Sequence, residues 1–420
     1  MNGNYLLKTE GARTIYESVA SLPIIDFHNH IAVGEIAADR HYESITALWL
    51  APDPYKHRLM RICGIPERYI TGDASDYEKF ERFCAVFPQL CGNPVYDWAR
   101  MELARVFDIH EIPSAQNARR IYDETAERLA SPEYGAKGLL SLFGVEYQSP
   151  VCALLDDLTP FDGVRVAPSL RADDLLSPSA DLRVRLKAKT GKEDYLAGVG
   201  VMLDRLTAKG CRFADHALDA GFFADVEKVD MLQRLGVEYA KRGMTLLLHM
   251  DAKRDTSDRL RALAGPAGGY AAVGGSLDTC ALISLLGSME REGGLPETVL
   301  FPLNMSDVPA LAVLQGSFSE DGVPSKVGLG PAWWWCDHAL GIKNTLSCVA
   351  SFGVLSEFIG MTTDSRSILS FVRHDYFRRI LASFLDEESQ RGEWGLPSSV
   401  LCDIAAKICY YNAKRKIRGN

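Results

Sequence analysis

Short apolar runs alternate along this chain with stretches long enough to be helices, and that rhythm limits the possible folds more than any other feature. The runs lie at Ile24–His30, Gly144–Gln148, Gly163–Pro168, Cys211–His216, Thr245–His249, Thr298–Leu303, Lys326–Gly330 and Phe358–Asp364. Each reads as a strand, and most are followed by a helix-length segment, which is the count and order of a β/α barrel. We therefore expect an α/β protein, a distorted (β/α)8 TIM barrel. A doubly wound open sheet is the alternative, disfavoured because no Gly-x-Gly-x-x-Gly turn follows the first strand.

The region after the first strand breaks the rhythm. Ser75-Asp76-Tyr77-Glu78 has the form of a capping box ahead of Phe80, Phe83 and Val86. Asn93-Pro94 places a cap residue before a proline at a first helical position, opening a helix from Val95 to Phe107. A further helix is expected over Ala115–Leu129. The chain thus divides into an N-terminal helix and first strand (1–32), a mainly helical insertion (33–140), and the remainder of the barrel with C-terminal helices (141–420).

Composition narrows the partners. A formal charge of -9 and a pI near 5.6 argue against a broad nucleic-acid surface. A few arginines in a cleft can still set a local field for an anionic small molecule. The 10 cysteines are scattered without a Cys-x-x-Cys pair, and those in apolar runs (Cys84, Cys348, Cys402, Cys409) read as small buried thiols. With no secretory signal at the N-terminus and no apolar run long enough for a bilayer, a cytoplasmic protein with no membrane partner is expected.

The ends of the expected strands carry the chemistry. Side chains alternate along a strand, so His28 and His30 project from one face and can form half of a metal site; two solvated histidines are the alternative. Asp364 ends the last expected strand, which in a closed barrel lies beside the first. Two imidazoles and a carboxylate suit Zn²⁺ or another divalent first-row metal such as Mn²⁺, with positions left open for water and substrate. Asp364 could instead cap a helix. Asp215, His216 and His249 also end strands, and His249 could equally be a core histidine. Arg171 and Arg366 read as bidentate captors of a carboxylate or phosphate, or as ordinary ion-pair residues. Of Trp333-Trp334-Trp335, at least one is expected to wall the pocket while the others pack in the core.

At this point the chain resembles the uronate (glucuronate) isomerases, divergent members of the amidohydrolase superfamily. The resemblance runs over nearly the whole length. It is carried by Asp26-Phe27-His28-Asn29-His30, by Tyr55-Lys56 with Arg58 and Met60-Arg61, and by Thr71 through Phe80. Gly92-Asn93-Pro94 and Asp215-His216-Ala217-Leu218-Asp219 continue it. The densest part runs from Ala332-Trp333-Trp334 through Thr363-Asp364-Ser365-Arg366-Ser367 to Arg373-His374 and Tyr376–Leu381.

That resemblance implies interconversion of D-glucuronate with D-fructuronate, or of D-galacturonate with D-tagaturonate, by proton transfer from C2 to C1 through a cis-enediolate. It implies a divalent metal held by His28, His30 and Asp364, with Zn²⁺ the first choice. Proton transfer would fall to Tyr55 and Asp364. Arg171, His249, Trp334 and Arg366 would bind the hexuronate, and a homo-oligomer is expected. The chain also departs from the family pattern. Pro54 stands where the family has histidine, Pro150-Val151-Cys152-Ala153-Leu154 replaces a Thr-Thr-Asp-Asp-Pro stretch, and Asp251 takes the place of a glycine. Action on another sugar acid or a lactone, and binding without catalysis, are the alternatives these departures leave open.

Overall fold

The computed structural model describes residues 3–392 and 394–418. Nine strands form in chain order: β1 Ile24–Asn29, β2 Val145–Cys152, β3 Ser169–Arg171, β4 Phe213–Leu218, β5 Thr245–Met250, β6 Ala252–Lys253, β7 Ala272–Val273, β8 Thr298–Pro302 and β9 Val327–Leu329. Seven of them make one parallel sheet in the order β1-β2-β3-β4-β5-β8-β9, and β6 and β7 form a small antiparallel hairpin. Because the order follows the sequence without reversal, the sheet curls in one direction as a barrel wall does. A doubly wound sheet would change direction at a switch point. Strands buried on both faces read as continuous apolar runs, and β1, β5 and β8 are buried at every position.

The eighth strand expected at Phe358–Asp364 does not form among the described residues, and the sheet they make is a curled half-barrel of seven strands. The reason lies in the backbone. Gly360 has φ +89° with its α-carbon against the Ile408 carbonyl, where any side chain would collide, and Asp364 has φ +46°. Two left-handed residues interrupt what the apolar pattern suggested was one extended run. The third strand also differs, forming at Ser169–Arg171 and not at Gly163–Pro168. There the Asp162 carboxylate accepts the amides of Val164, Arg165 and Val166 at 2.8, 2.7 and 2.8 Å. Those donors are lost to a sheet ladder, and only an isolated bridge from Val166 to Gln148 remains.

Between β1 and β2 the described chain holds helices and no strand. The helix Asp76–Val86 carries the expected capping box, with Ser75 and Glu78 bonding reciprocally, and Asn93 caps the helix Pro94–Phe107 through the Val95 amide. One apolar core joins this region to the sheet, since Trp49, Phe80 and Phe107 are as fully buried as Phe27 and Phe213. No helix among the described residues is long and apolar enough to cross a membrane.

Candidate active site

A cavity of about 310 Å³ opens where the strands end. His28 and His30 from the end of β1, Arg171 from β3, His249 from β5, and Tyr55, Trp334, Asp364 and Arg366 from connecting segments all line it. The rings of Phe27 and Phe213 pack at 5.7 Å and Phe301 stacks on His249 at 4.2 Å, so the floor is aromatic and dry. Hydrocarbon packing below and ionisable groups above are what a strand-end site requires.

The residues at the first strand end meet as expected. His30 Nε2 lies 3.0 Å and His28 Nε2 3.5 Å from Asp364 Oδ1. The His28 and His30 rings stand edge to face at 5.3 Å. The other carboxylate oxygen, Asp364 Oδ2, accepts the indole N–H of Trp333, which leaves Oδ1 for the histidines. Burial would raise the Asp364 carboxyl, but the two imidazoles hold it well below the usual carboxylate range. Burial likewise pulls His28 down while Asp215 and Asp364 pull it up, and the carboxylates prevail; for His30 burial prevails and the value is lowered.

These groups fit a divalent cation. One ligand atom each from His28, His30 and Asp364 lie within 4.8 Å of one another. Both ring nitrogens of His28 are buried without a hydrogen-bond partner. Two imidazoles and one carboxylate at the edge of a cavity are the donor set of a Zn²⁺ or related first-row site with open positions.

A second cluster stands beside the first. Asp215, fully buried at the fourth strand, accepts from His249 Nδ1 at 2.6 Å and pairs with Arg171 Nη1 at 3.1 Å. Parallel pairing of β4 and β5 sets Ala217 opposite His249 and brings the carboxylate under the ring. With Nδ1 donating to Asp215, His249 Nε2 is left buried and without a partner. Burial opposes ionisation of Asp215, but Arg171 and His249 outweigh it and hold the carboxyl far below its ordinary value. Arg171 also bonds Asp173 through Nε at 2.7 Å. Arg366 is exposed at the mouth and, among the described residues, makes no ion pair.

Tyr55 enters from the helix Pro54–Ile62, whose first turn is fixed by Asp53 accepting the Tyr55 amide at 2.9 Å and by Pro54 at the first position. Its ring meets Trp335 at 5.4 Å and Trp98 at 5.9 Å. Burial pushes the phenol far above its ordinary value, so it holds its proton throughout the neutral range. Trp334 reaches the cavity with φ +52°, a left-handed conformation that a bulky side chain adopts at a cost.

Sequence reasoning missed Arg254 and the pairing of Asp215 with His249, and it singled out Trp334 where two tryptophans line the cavity. Trp333 and Trp334 both line the cavity, while Trp335 backs Tyr55. Asp215 was visible as a strand end, but its partnership with His249 spans 34 residues and no local pattern announces it. Arg254, beyond the β6 edge, also lines the cavity, 5.5 Å over the Trp334 ring. Pro54 and Val151, two of the departures noted above, also line the cavity.

Fold and site together define an α/β half-barrel protein with a metal-competent imidazole–carboxylate cluster at its strand ends. The chain belongs to the uronate isomerase family: the glucuronate isomerase family model matches residues 1–233 and 228–416. A uronate isomerase of Caldicellulosiruptor bescii is 34% identical over 460 aligned positions, covering 99% of this chain and 98% of that protein. One from Oceanobacillus iheyensis is 33% identical with 99% and 97% covered. The crystal structure of a uronate isomerase from Thermotoga maritima superposes with TM-score 0.89 at 27% identity, covering 98% of each chain. That of a glucuronate isomerase from Caulobacter crescentus gives 0.89 at 22% identity, covering 100% and 97%, and speaks for the fold alone.

Proposed function

We propose that this chain interconverts an aldose and a ketose form of a hexuronate, D-glucuronate with D-fructuronate or D-galacturonate with D-tagaturonate, with the help of a divalent metal. The observation that carries the reading is the convergence of His28, His30, Asp364, Tyr55, Arg171, His249, Trp334 and Arg366 on one cavity of about 310 Å³, the size class of small-molecule sites. A metal held by His28, His30 and Asp364 would supply positive charge for the substrate's oxygens and orient its open chain.

The rest is done by side chains. Arg366 at the mouth has its guanidinium free for the substrate carboxylate. His249, with Nδ1 tied to Asp215, offers Nε2 to a hydroxyl. Trp334 packs against the carbon chain. In the reaction the C2 proton leaves, the electron pair forms the enediolate, and a proton is delivered to C1. The O2 hydroxyl proton is lost and O1 gains one, so the sugar is neither oxidised nor reduced overall. Asp364, a carboxylate on the cavity wall, and Tyr55, a phenol that carries its proton, are the groups we assign to exchange protons with the substrate.

Incubating Zn²⁺- or Mn²⁺-loaded protein with D-glucuronate and with D-galacturonate in D₂O, followed by proton NMR, tests this directly. The expected result is the ketouronate carrying solvent deuterium at C1. No ketouronate from either sugar, with metal confirmed in the sample, would refute the proposal.

A further inference from the structure

Where an eighth strand would lie, the chain is fastened to β1 by one carboxylate. Asp26 is fully buried with five polar groups within hydrogen-bonding distance, the Thr362 hydroxyl being shared with the His28 carbonyl at 2.7 Å. Thr363 donates its amide to Oδ1 at 2.6 Å and its hydroxyl to Oδ2 at 2.9 Å. The Thr362 hydroxyl stands 3.0 Å from Oδ1 and the His374 ring nitrogen 3.1 Å, and Asn29 donates its side-chain amide to Oδ2 at 2.7 Å. Direct backbone bonds across this seam are few: the Asp364 amide to the His28 carbonyl at 3.2 Å, and the His30 amide to the Ser365 carbonyl at 2.8 Å. Thr362 completes the seam by accepting the His28 amide at 2.9 Å.

The arrangement has a geometric consequence. Asp364 follows Thr362 and Thr363 directly and turns in with φ +46°, a conformation that persists only where neighbours dictate it. Thr362 and Thr363 are buried and tied to Asp26, and Asp26 lies two residues before His28. The carboxylate therefore sets the separation between the strand that carries the histidines and the segment that carries Asp364. Burial opposes its charge, yet the His374, Asn29 and Thr363 bonds keep Asp26 ionised, as a multiple acceptor must be.

We infer that Asp26 is a positioning residue for the metal-binding set, holding Asp364 Oδ1 in register with the imidazoles of His28 and His30 without touching metal or substrate. The inference rests on the reading that those three residues take a divalent ion. Outer partners that orient metal ligands change affinity by about 10–100-fold when removed. Asp26→Asn keeps the shape but puts an amide N–H against groups that are themselves donors.

The test is titration of the metal-free protein with Co²⁺, read by affinity and by the visible absorption of the bound ion, alongside kcat and KM on uronates. Asp26→Asn is expected to weaken Co²⁺ binding by about 10–100-fold, to alter the absorption bands, and to lower kcat more than it changes KM. Should Asp26→Asn fail to fold, Thr363→Val removes a single bond and is expected to shift the same readouts less, with Thr363→Ser restoring them. A folded variant with wild-type Co²⁺ affinity and spectrum overturns the inference. Wild-type protein that binds no Co²⁺ overturns the metal reading and the inference with it. Tight Co²⁺ binding by wild type without turnover refutes only the proposed activity.

Discussion

The triad of His28, His30 and Asp364 and the trio of His28, Asp215 and His249 contain the same kinds of groups, share one histidine, and each bring their ligand atoms within 4.8 Å. They differ in what their carboxylates already do. Asp215 is sealed from solvent, with Oδ1 hydrogen-bonded to His249 Nδ1 and Oδ2 3.1 Å from the Arg171 guanidinium. Asp364 is partly open to the cavity, with one oxygen held by Trp333 and the other facing only imidazoles. The Arg171 guanidinium beside Asp215 already supplies a positive charge to that carboxylate. Spacing alone does not distinguish a metal ligand from a positioning group; the charge already paired with the carboxylate does.

Substitution at the two carboxylates separates the clusters most sharply. Asp364→Asn is expected to abolish tight metal binding and lower kcat by on the order of 10³-fold with the fold retained. Metal analysis of the purified variant and circular dichroism check both halves of that expectation. Asp215→Asn should leave the metal in place and lower kcat/KM by about 10²-fold, because His249 and Arg171 lose the group that aims them. Metal loss in Asp215→Asn comparable to that in Asp364→Asn would erase the distinction.

Two smaller effects sharpen it. Arg171→Lys preserves charge but not the fork that reaches Asp215 and Asp173 together, so KM should rise about 10-fold with kcat less affected. Just past the end of the strand that carries His249, Asp251 has φ +71° and faces Asp307, and burial together with that neighbour pushes its carboxyl up to about 7. Its folded value exceeds the unfolded one, so this carboxyl favours the folded state at low pH and the contribution is lost as pH rises through about 7. Asp251→Asn tolerates the left-handed backbone. It should stabilise the protein by about 1–3 kcal/mol at pH 8 relative to wild type and flatten the dependence of melting temperature on pH. Parallel wild-type and variant melting curves would contradict this.

The legibility of these features from sequence follows from how local each one is. His-x-His at the end of an apolar run is contiguous and was readable, as was the alternation that located six of the seven parallel strands. Asp364 was found for a partly mistaken reason, since the segment bearing it is no strand; it lies beside β1 because side chains of Asp26, Thr362 and Thr363 fasten it there. Gly360 sits inside an apolar run and gave no hint of its positive φ. The Asp162 turn that displaces the third strand was equally silent, because an aspartate before glycine reads as an ordinary loop. Asp53 at the first turn of the Tyr55 helix could have been found as the acceptor before a proline. The Asp215–His249 pairing depends on the register of β4 against β5, which apolar runs do not encode.

The most direct test of the account is where the metal sits. A crystal of the Zn²⁺-loaded protein, measured at the zinc absorption edge, would locate the ion without reference to activity. The expected result is one anomalous peak bounded by His28 Nε2, His30 Nε2 and Asp364 Oδ1, with Asp215 still hydrogen-bonded to His249 and paired with Arg171. A peak between His28, Asp215 and His249, with Arg171 displaced, would contradict it.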